Sequence, residues 1–279
     1  VPAITTKTVS KKSKKLIVDI LKKELIDAGY GNYIEVVLSA NQFGVPQKRN
    51  RYFILATRYP DWKLSFPTPT TSEDVSVRDA FAGLKNVIAN SGKEQNRYTG
   101  RESEYSLLMK NDEFWKRTTK EDGKVTNHMP MKHRACTIER FSLLKPGESL
   151  KDLFDRYVGE EREKLQERRV LPKKMFIKRN YRLKYNEASP TVTSHCLDEF
   201  VHPKYDRALT VRECARLQSF PDSYDFCGGP YIVPHIDRTI QDKYEQIGDA
   251  DARVIAALSG RYHVVMDIPQ SAYSQFDNS

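Results

Sequence analysis

The most constraining feature of this chain is a fifteen-residue block, Arg207-Ala208-Leu209-Thr210-Val211-Arg212-Glu213-Cys214-Ala215-Arg216-Leu217-Gln218-Ser219-Phe220-Pro221. Thr210-Val211-Arg212-Glu213 has the spacing of a capping box. The Thr hydroxyl takes the N-cap and Glu213, at N3, reaches back to it. The helix so opened buries Val211, Cys214, Ala215 and Leu217, and Phe220-Pro221 ends it, because proline cannot continue the hydrogen-bond ladder. The same short helix carries Arg212, Glu213 and Arg216, with Arg207 just ahead of it. Charges on a core-forming helix need partners, so these four residues are expected to form an ion-pair and hydrogen-bond framework. That role is structural rather than catalytic.

Elsewhere the local patterns are simpler. Leu16, Ile17, Ile20, Leu21 and Leu25 make one apolar face of a helix over 13–28, with Ser13 as N-cap and Gly29 as C′ residue. Tyr33–Leu38 and Tyr52–Ala56 read as strands, joined through the polar turn Gly44-Val45-Pro46-Gln47-Lys48-Arg49-Asn50-Arg51. Helix, strand, turn, strand suggests the edge of an α/β sheet. Pro60, Pro67, Pro69 and the Thr68–Ser72 cluster mark a linker. From about 75 to 186 the pattern is irregular, and Glu160–Arg169 reads as a solvated helix face or loop. Two further helices are expected over 239–247 and 250–265, broken at Gly248.

The net charge of +9, from 46 basic and 37 acidic residues, points toward a polyanionic partner. Cys136, Cys196, Cys214 and Cys227 form no C-x-x-C pair, and four are too few for a disulfide scaffold at this length; a reducing, cytoplasmic setting fits. No stretch approaches the ~18 apolar residues of a membrane span. His195, Cys196, His202 and Cys214 fit the spacing of no common zinc module, so no metal is expected. His128 and His133 read as loop histidines without special role.

Three blocks together resemble the cytosine-C5 DNA methyltransferases. Gly44–Arg51 is similar to the eighth conserved motif of that family, G-[VI]-P-Q-x-R-x-R. Ala188-Ser189-Pro190-Thr191-Val192-Thr193 with Arg207–Pro221 is similar to the ninth. Tyr244-Glu245-Gln246-Ile247-Gly248-Asp249-Ala250 is similar to the start of the tenth. Taken alone, Lys48, Arg49 and Arg51 read as ordinary surface charges on a hairpin; in company with the long ninth block the functional reading is favoured. The resemblance implies duplex DNA as partner and S-adenosylmethionine as cofactor. It implies that Arg51 contacts a flipped-out cytosine at O2, with Arg49 beside it near the active loop or a phosphate. Gln47, Lys48, Arg207, Arg212 and Arg216 would serve DNA binding or order the recognition domain, some guanidiniums touching phosphates. Gly248, Asp249 and Ala250 would close the cofactor pocket. The family pattern there is Gly-Asn-Ala-Val-Pro, whereas this chain reads Gly248-Asp249-Ala250-Asp251-Ala252.

The fold class implied is α/β: part of a Rossmann-like S-adenosylmethionine-dependent methyltransferase domain with an inserted, mostly irregular target recognition domain. Residues 1–66 and 187–279 would belong to the catalytic domain and 67–186 to recognition. The family's nucleophilic cysteine follows a proline, and no cysteine here does. The glycine-rich cofactor loop and the Glu-Asn-Val motif are also absent, although Val1-Pro2-Ala3 is how the latter would continue. The expectation is a C-terminal part that is inactive alone and needs a missing N-terminal half or partner subunit. Three settings stay open: a piece of a longer enzyme, the downstream subunit of a split one, or a DNA-binding module without transfer chemistry. A bacterial restriction–modification role, in the cytoplasm at the nucleoid, is the expected context.

Overall fold

The structure is a computed structural model and describes residues 16–115, 124–175, 179–227, 229–231 and 242–249. It opens with helix α1 (Ile17–Asp27). The predicted stop is present: Gly29 takes φ +88°, where a glycine carries no Cβ penalty. Its N–H donates to Ile26 O at 2.9 Å and that of Tyr30 to Leu25 O at 2.8 Å, a Schellman closure. Ser13 lies outside the described residues. The apolar stripe of α1 is only half-buried, Val18 being its one buried residue.

Strands β1 (Asn32–Ser39) and β2 (Asn50–Thr57) pair antiparallel, from Asn32 opposite Thr57 to Ser39 opposite Asn50. A single 3-10 turn, Ala40–Phe43, follows β1. It ends at Gly44 with φ +78°, which reverses the chain toward β2. Among the described residues the other strands, β3 (Tyr181–Arg182) and β4 (Phe200–Val201), form a short parallel pair. The described architecture is thus mixed α and β.

The segment expected to be irregular holds six short helices joined by non-helical stretches. It holds α2 (Val77–Phe81), α3 (Glu104–Met109), α4 (Asp112–Trp115), α5 (Ala135–Leu143), α6 (Leu150–Arg156) and α7 (Gly159–Glu167). These helices are short, four to nine residues, so their periodicity does not stand out in sequence. Their starts are marked chemically instead: Ser76, Ser103 and Ser149 each cap their helix through a capping box. Glu160–Arg169 falls mostly on α7, where Leu165 alone is buried.

Two cores result. In the first, Val77, Phe81, Tyr105, Met109 and Met131 pack with Leu183, Val192 and the buried face of α9 (Val211–Leu217). Tyr244 and Ile247, from α10 (Lys243–Asp249), complete it. In the second, Phe141, Leu144, Leu150, Leu153, Leu165, Val170 and Leu171 close around Val201. Residues 77–131 therefore share one core with the 183–247 region, while 141–171 pack a second one around Val201 of that same region. The short α8 (Cys196–Glu199) lies between β3 and β4 in sequence.

The capping box of α9 forms as the sequence dictates. Glu213 N–H donates to Thr210 Oγ1 at 3.1 Å and Thr210 N–H to Glu213 Oε2 at 2.8 Å. The Thr210 hydroxyl also meets His128 Nδ1 at 2.9 Å. Thr210→Ala is therefore expected to destabilise the fold by about 1–2 kcal/mol, the upper part of the range for a lost N-cap. Chemical denaturation would read this directly, and a change below a few tenths would show that the cap carries no weight. The described part of α10 ends at Asp249, one residue past the expected break at Gly248. A Cβ on Gly248 would lie 1.9 Å from Ser194 N, so this glycine allows a close approach of the two backbones. The helix expected over 250–265 lies outside the described residues.

Candidate DNA-facing arginine turn and its support

The turn between β1 and β2 is locked to a segment more than 140 residues away. Lys48 N–H donates to Ser189 O at 2.8 Å and Ser189 N–H to Pro46 O at 2.9 Å, making a one-residue parallel bridge between Gln47 and Ser189. Thr191 Oγ1 donates to Lys48 O at 2.9 Å. The Gln47 carboxamide, 1% exposed, accepts from Val192 N–H at 2.9 Å and donates to Leu217 O at 3.1 Å. Arg49 Nη1 donates to Val192 O at 2.7 Å. Arg51, the second residue of β2, is half-buried opposite Leu38, and its Nη1 meets Asn50 O at 3.2 Å. Lys48 points the other way, exposed, with Nζ 3.9 Å from Asp74 Oδ2. The structure thus brings Gly44–Arg51 against Ala188–Thr193, with Arg51 on β2 and Arg49 one residue ahead of it.

The framework arginines face inward. Arg207 (1% exposed) forms a bidentate pair with Glu213 at 2.7 and 2.8 Å, and its Nε donates to Val87 O at 2.8 Å. Arg216 (0%) forms a bidentate pair with Asp222 at 2.6 and 2.9 Å and donates to Ala80 O and Ala82 O. Arg212 (0%) donates to Thr126 O, Thr126 Oγ1, Pro221 O and Tyr224 O. Three guanidiniums on or beside α9 therefore staple carbonyls of residues 80–126 to it. Burial and these partners leave none of the three a free face for a phosphate, which corrects that part of the expectation.

The electrostatics follow from this burial. Desolvation would push the Glu213 carboxyl up, but the Arg207 guanidinium outweighs it and holds the carboxyl well below the usual range. Asp222 is held low in the same way by Arg216. Burial pushes the His202 imidazole down to about 3, and burial likewise lowers His128 and His133. These histidines are packed parts of the framework rather than idle loop residues. His128 Nε2 donates to Lys85 O at 2.7 Å, and His133 Nε2 accepts from Ala208 N–H at 3.1 Å. His202 Nδ1 accepts from the N–H groups of Lys204 and Tyr205, both at 3.1 Å.

Stability should accordingly fall on acidification in two stages. The unfolded histidines take up protons below about pH 6.5, which their folded counterparts resist, so this contribution is complete above that pH and is lost as pH falls toward 3. The depressed carboxyls of Glu213 and Asp222 add a second loss below about pH 4.5. Melting temperatures at fixed ionic strength should drop steadily from pH 7 to pH 5. A flat profile over that window would contradict the buried, neutral assignment.

The cofactor block is only partly visible. Gly248 is pressed against the Thr193–Ser194 backbone, so its Cβ direction faces protein and not an open cradle. The Asp249 side chain and Ala250 lie outside what the structure describes. A pocket of about 110 Å³ is lined by Phe81, Lys85, His202, Tyr205 and Glu213. It falls short of the ~300 Å³ at which ligand sites of this size class begin. No group of three or more His, Cys, Asp or Glu side chains among the described residues is arranged to hold a metal ion. No helix among them is long and apolar enough to cross a membrane. All four cysteines are free. Cys196 and Cys214 are fully buried, and burial raises the Cys214 thiol well above its ordinary value.

The sequence reading missed Val192, Asp222 and Gln218 as members of the site. Gln218, 3% exposed, donates to Ile247 O at 2.8 Å and so ties α10 to the end of α9. Asp222 follows directly on the block's terminal proline and was the available signal for Arg216's partner.

The sequence profile described as C-5 cytosine-specific DNA methylase matches residues 6–252. The chain is 30% identical over 251 residues to the type II methyltransferase M.DdeI of Desulfomicrobium norvegicum, covering 88% of this chain and 57% of that one. It is 29% identical over 192 residues to the type II methyltransferase M1.HphI of Haemophilus parahaemolyticus, covering 69% and 40%. The chain thus spans about half the length of the curated relatives it matches. Its fold is similar to that of a candidate DNA modification methyltransferase encoded within a prophage (E. coli), with a TM-score of 0.55 and 22% identity, over 84% of this chain and 60% of that one. The profile match over most of its length shows that this chain belongs to the C-5 cytosine-specific DNA methylase family.

Proposed function

We propose that this chain supplies the cytosine-contacting turn and the DNA-reading segment of a DNA cytosine-C5 methyltransferase. The observation that carries the reading is the lock between residues 46–49 and 189–192, which sets two arginines at one strand start and loops out everything between. Residues 67–186 are the DNA-reading segment in this reading. The target base must leave the duplex stack to react. Arg51 meets it at O2: a guanidinium stays protonated and donates in a planar fork, so it steadies the charge that develops as a nucleophile adds to C6. Arg49, held by Val192 O, steadies the neighbouring loop or phosphate.

S-adenosylmethionine, implied by the family, would supply the methyl group taken by C5. The attacking thiolate comes from polypeptide outside these 279 residues. Two observations support this. No cysteine here follows a proline, and Cys196 and Cys214 are sealed in the core.

The test is methyl transfer from labelled S-adenosylmethionine to mixed-sequence duplex DNA. It is run with this chain alone and with a family polypeptide carrying the Pro-Cys segment. Transfer in the mixture only is the expected result. Salt-sensitive DNA binding with no transfer in either arm would favour a binding module. Transfer by this chain alone would overturn the account of the nucleophile.

A further inference from the structure

Gln47 and Arg49 stand two residues apart on the turn, and both reach the same residue on the far segment. Gln47 Oε1 takes the Val192 N–H at 2.9 Å, and Arg49 Nη1 takes the Val192 carbonyl at 2.7 Å. The other end of the Gln47 carboxamide donates to Leu217 O, the last residue of α9, at 3.1 Å. We propose that Gln47 is a positioning residue, whose carboxamide, clamped between Val192 and the end of α9, sets the direction in which the Arg49 guanidinium leaves the turn. This rests on the reading that the turn faces the cytosine.

The chemistry of the clamp is demanding. One side chain must accept and donate at once, at two fixed points, while 1% exposed. A carboxamide does this; an ionised carboxylate cannot donate, and a thioether does neither to useful effect. The backbone on either side is already fixed, by Ser189 at Pro46 and Lys48 and by the Thr191 hydroxyl at Lys48 O. What the carboxamide adds is registration to α9. That helix is in turn stapled to residues 80–126 by Arg207, Arg212 and Arg216. Gln47 is thus the joint through which the position of α9 and the segment on it reaches the arginine turn.

The test uses the two-component methylation assay, with DNA affinity and melting temperature measured in parallel. Gln47→Met should lower the single-turnover rate about 10–100-fold, the scale on which small misplacements of a reacting group act. DNA affinity should stay within about threefold. Arg49→Ala should cost markedly less in the Gln47→Met background than in the wild type, because Gln47 acts through Arg49. Fully multiplicative effects, or a rate within about twofold of wild type, would overturn the proposal. So would an affinity loss equal to the rate loss. If Gln47→Met fails to fold, Gln47→Glu keeps an acceptor for Val192 N–H and removes the donor to Leu217 O. It should slow transfer several-fold at unchanged affinity, and an unchanged rate would reduce Gln47 to a purely structural residue. An inactive wild-type mixture would instead remove the reading of the site, and this inference with it.

Discussion

Arg51→Ala is expected to lower methyl transfer by about 10²–10³-fold in the two-component assay, roughly 2.7–4 kcal/mol of transition-state stabilisation, the scale for losing one charge-stabilising donor. DNA affinity should change little, since one half-buried guanidinium among 46 basic residues contributes little to the salt-dependent term. Arg51→Lys should recover only part of the rate, because an ammonium keeps the charge but not the planar fork. The guanidinium is half-buried and its Nη1 donates to the carbonyl of its own neighbour, Asn50, so a melting temperature measured in parallel separates a folding loss from a loss of rate. A rate loss below tenfold, or one accompanied by an equal loss of affinity, would show that Arg51 holds DNA rather than the reacting base.

Glu213→Gln should have the largest effect on stability. The substitution keeps the shape of the side chain but places an amide N–H₂ where a carboxylate oxygen now accepts from Arg207 or Thr210 N–H. It also strands the Arg207 charge at 1% exposure. Breaking one partner of such a pair costs about 3–5 kcal/mol, because the remaining ion is neither solvated nor compensated. For a chain of this size that corresponds to a fall in melting temperature of roughly 6–20 °C. The exposed pair Lys151–Asp155 on α6 is the internal contrast, both side chains being 55% exposed. Lys151→Ala should shift stability by no more than about 0.5 kcal/mol. Equal shifts for the two variants would mean that burial does not set the value of the Arg207–Glu213 pair.

Local chemistry was legible wherever neighbours in sequence are neighbours in space. The Thr210–Glu213 box, the Gly29 stop and the two strands flanking the turn came out as read, within a residue or two. The helices between 77 and 167 did not, because each is too short for a 3.6-residue period to rise above the charged background. The close approach at Gly248 was not legible either: only the contact of α10 with Thr193–Ser194 shows that a Cβ has no room there.

The sequence by itself pointed to the family, which the profile match over residues 6–252 shows. It also determined that α9 had to carry paired charges, since arginine and glutamate cannot lie unpaired on a core helix. Only the tertiary structure decided which partners they take and where the arginine turn points. Gln47 meets Val192 across 145 residues and Leu217 across 170, and Arg216 finds its carbonyl partners 134 and 136 residues away. Such contacts leave no periodicity in the chain. They are set by which surfaces the apolar core brings together, and the direction of a buried guanidinium follows from that packing rather than from its position in the motif.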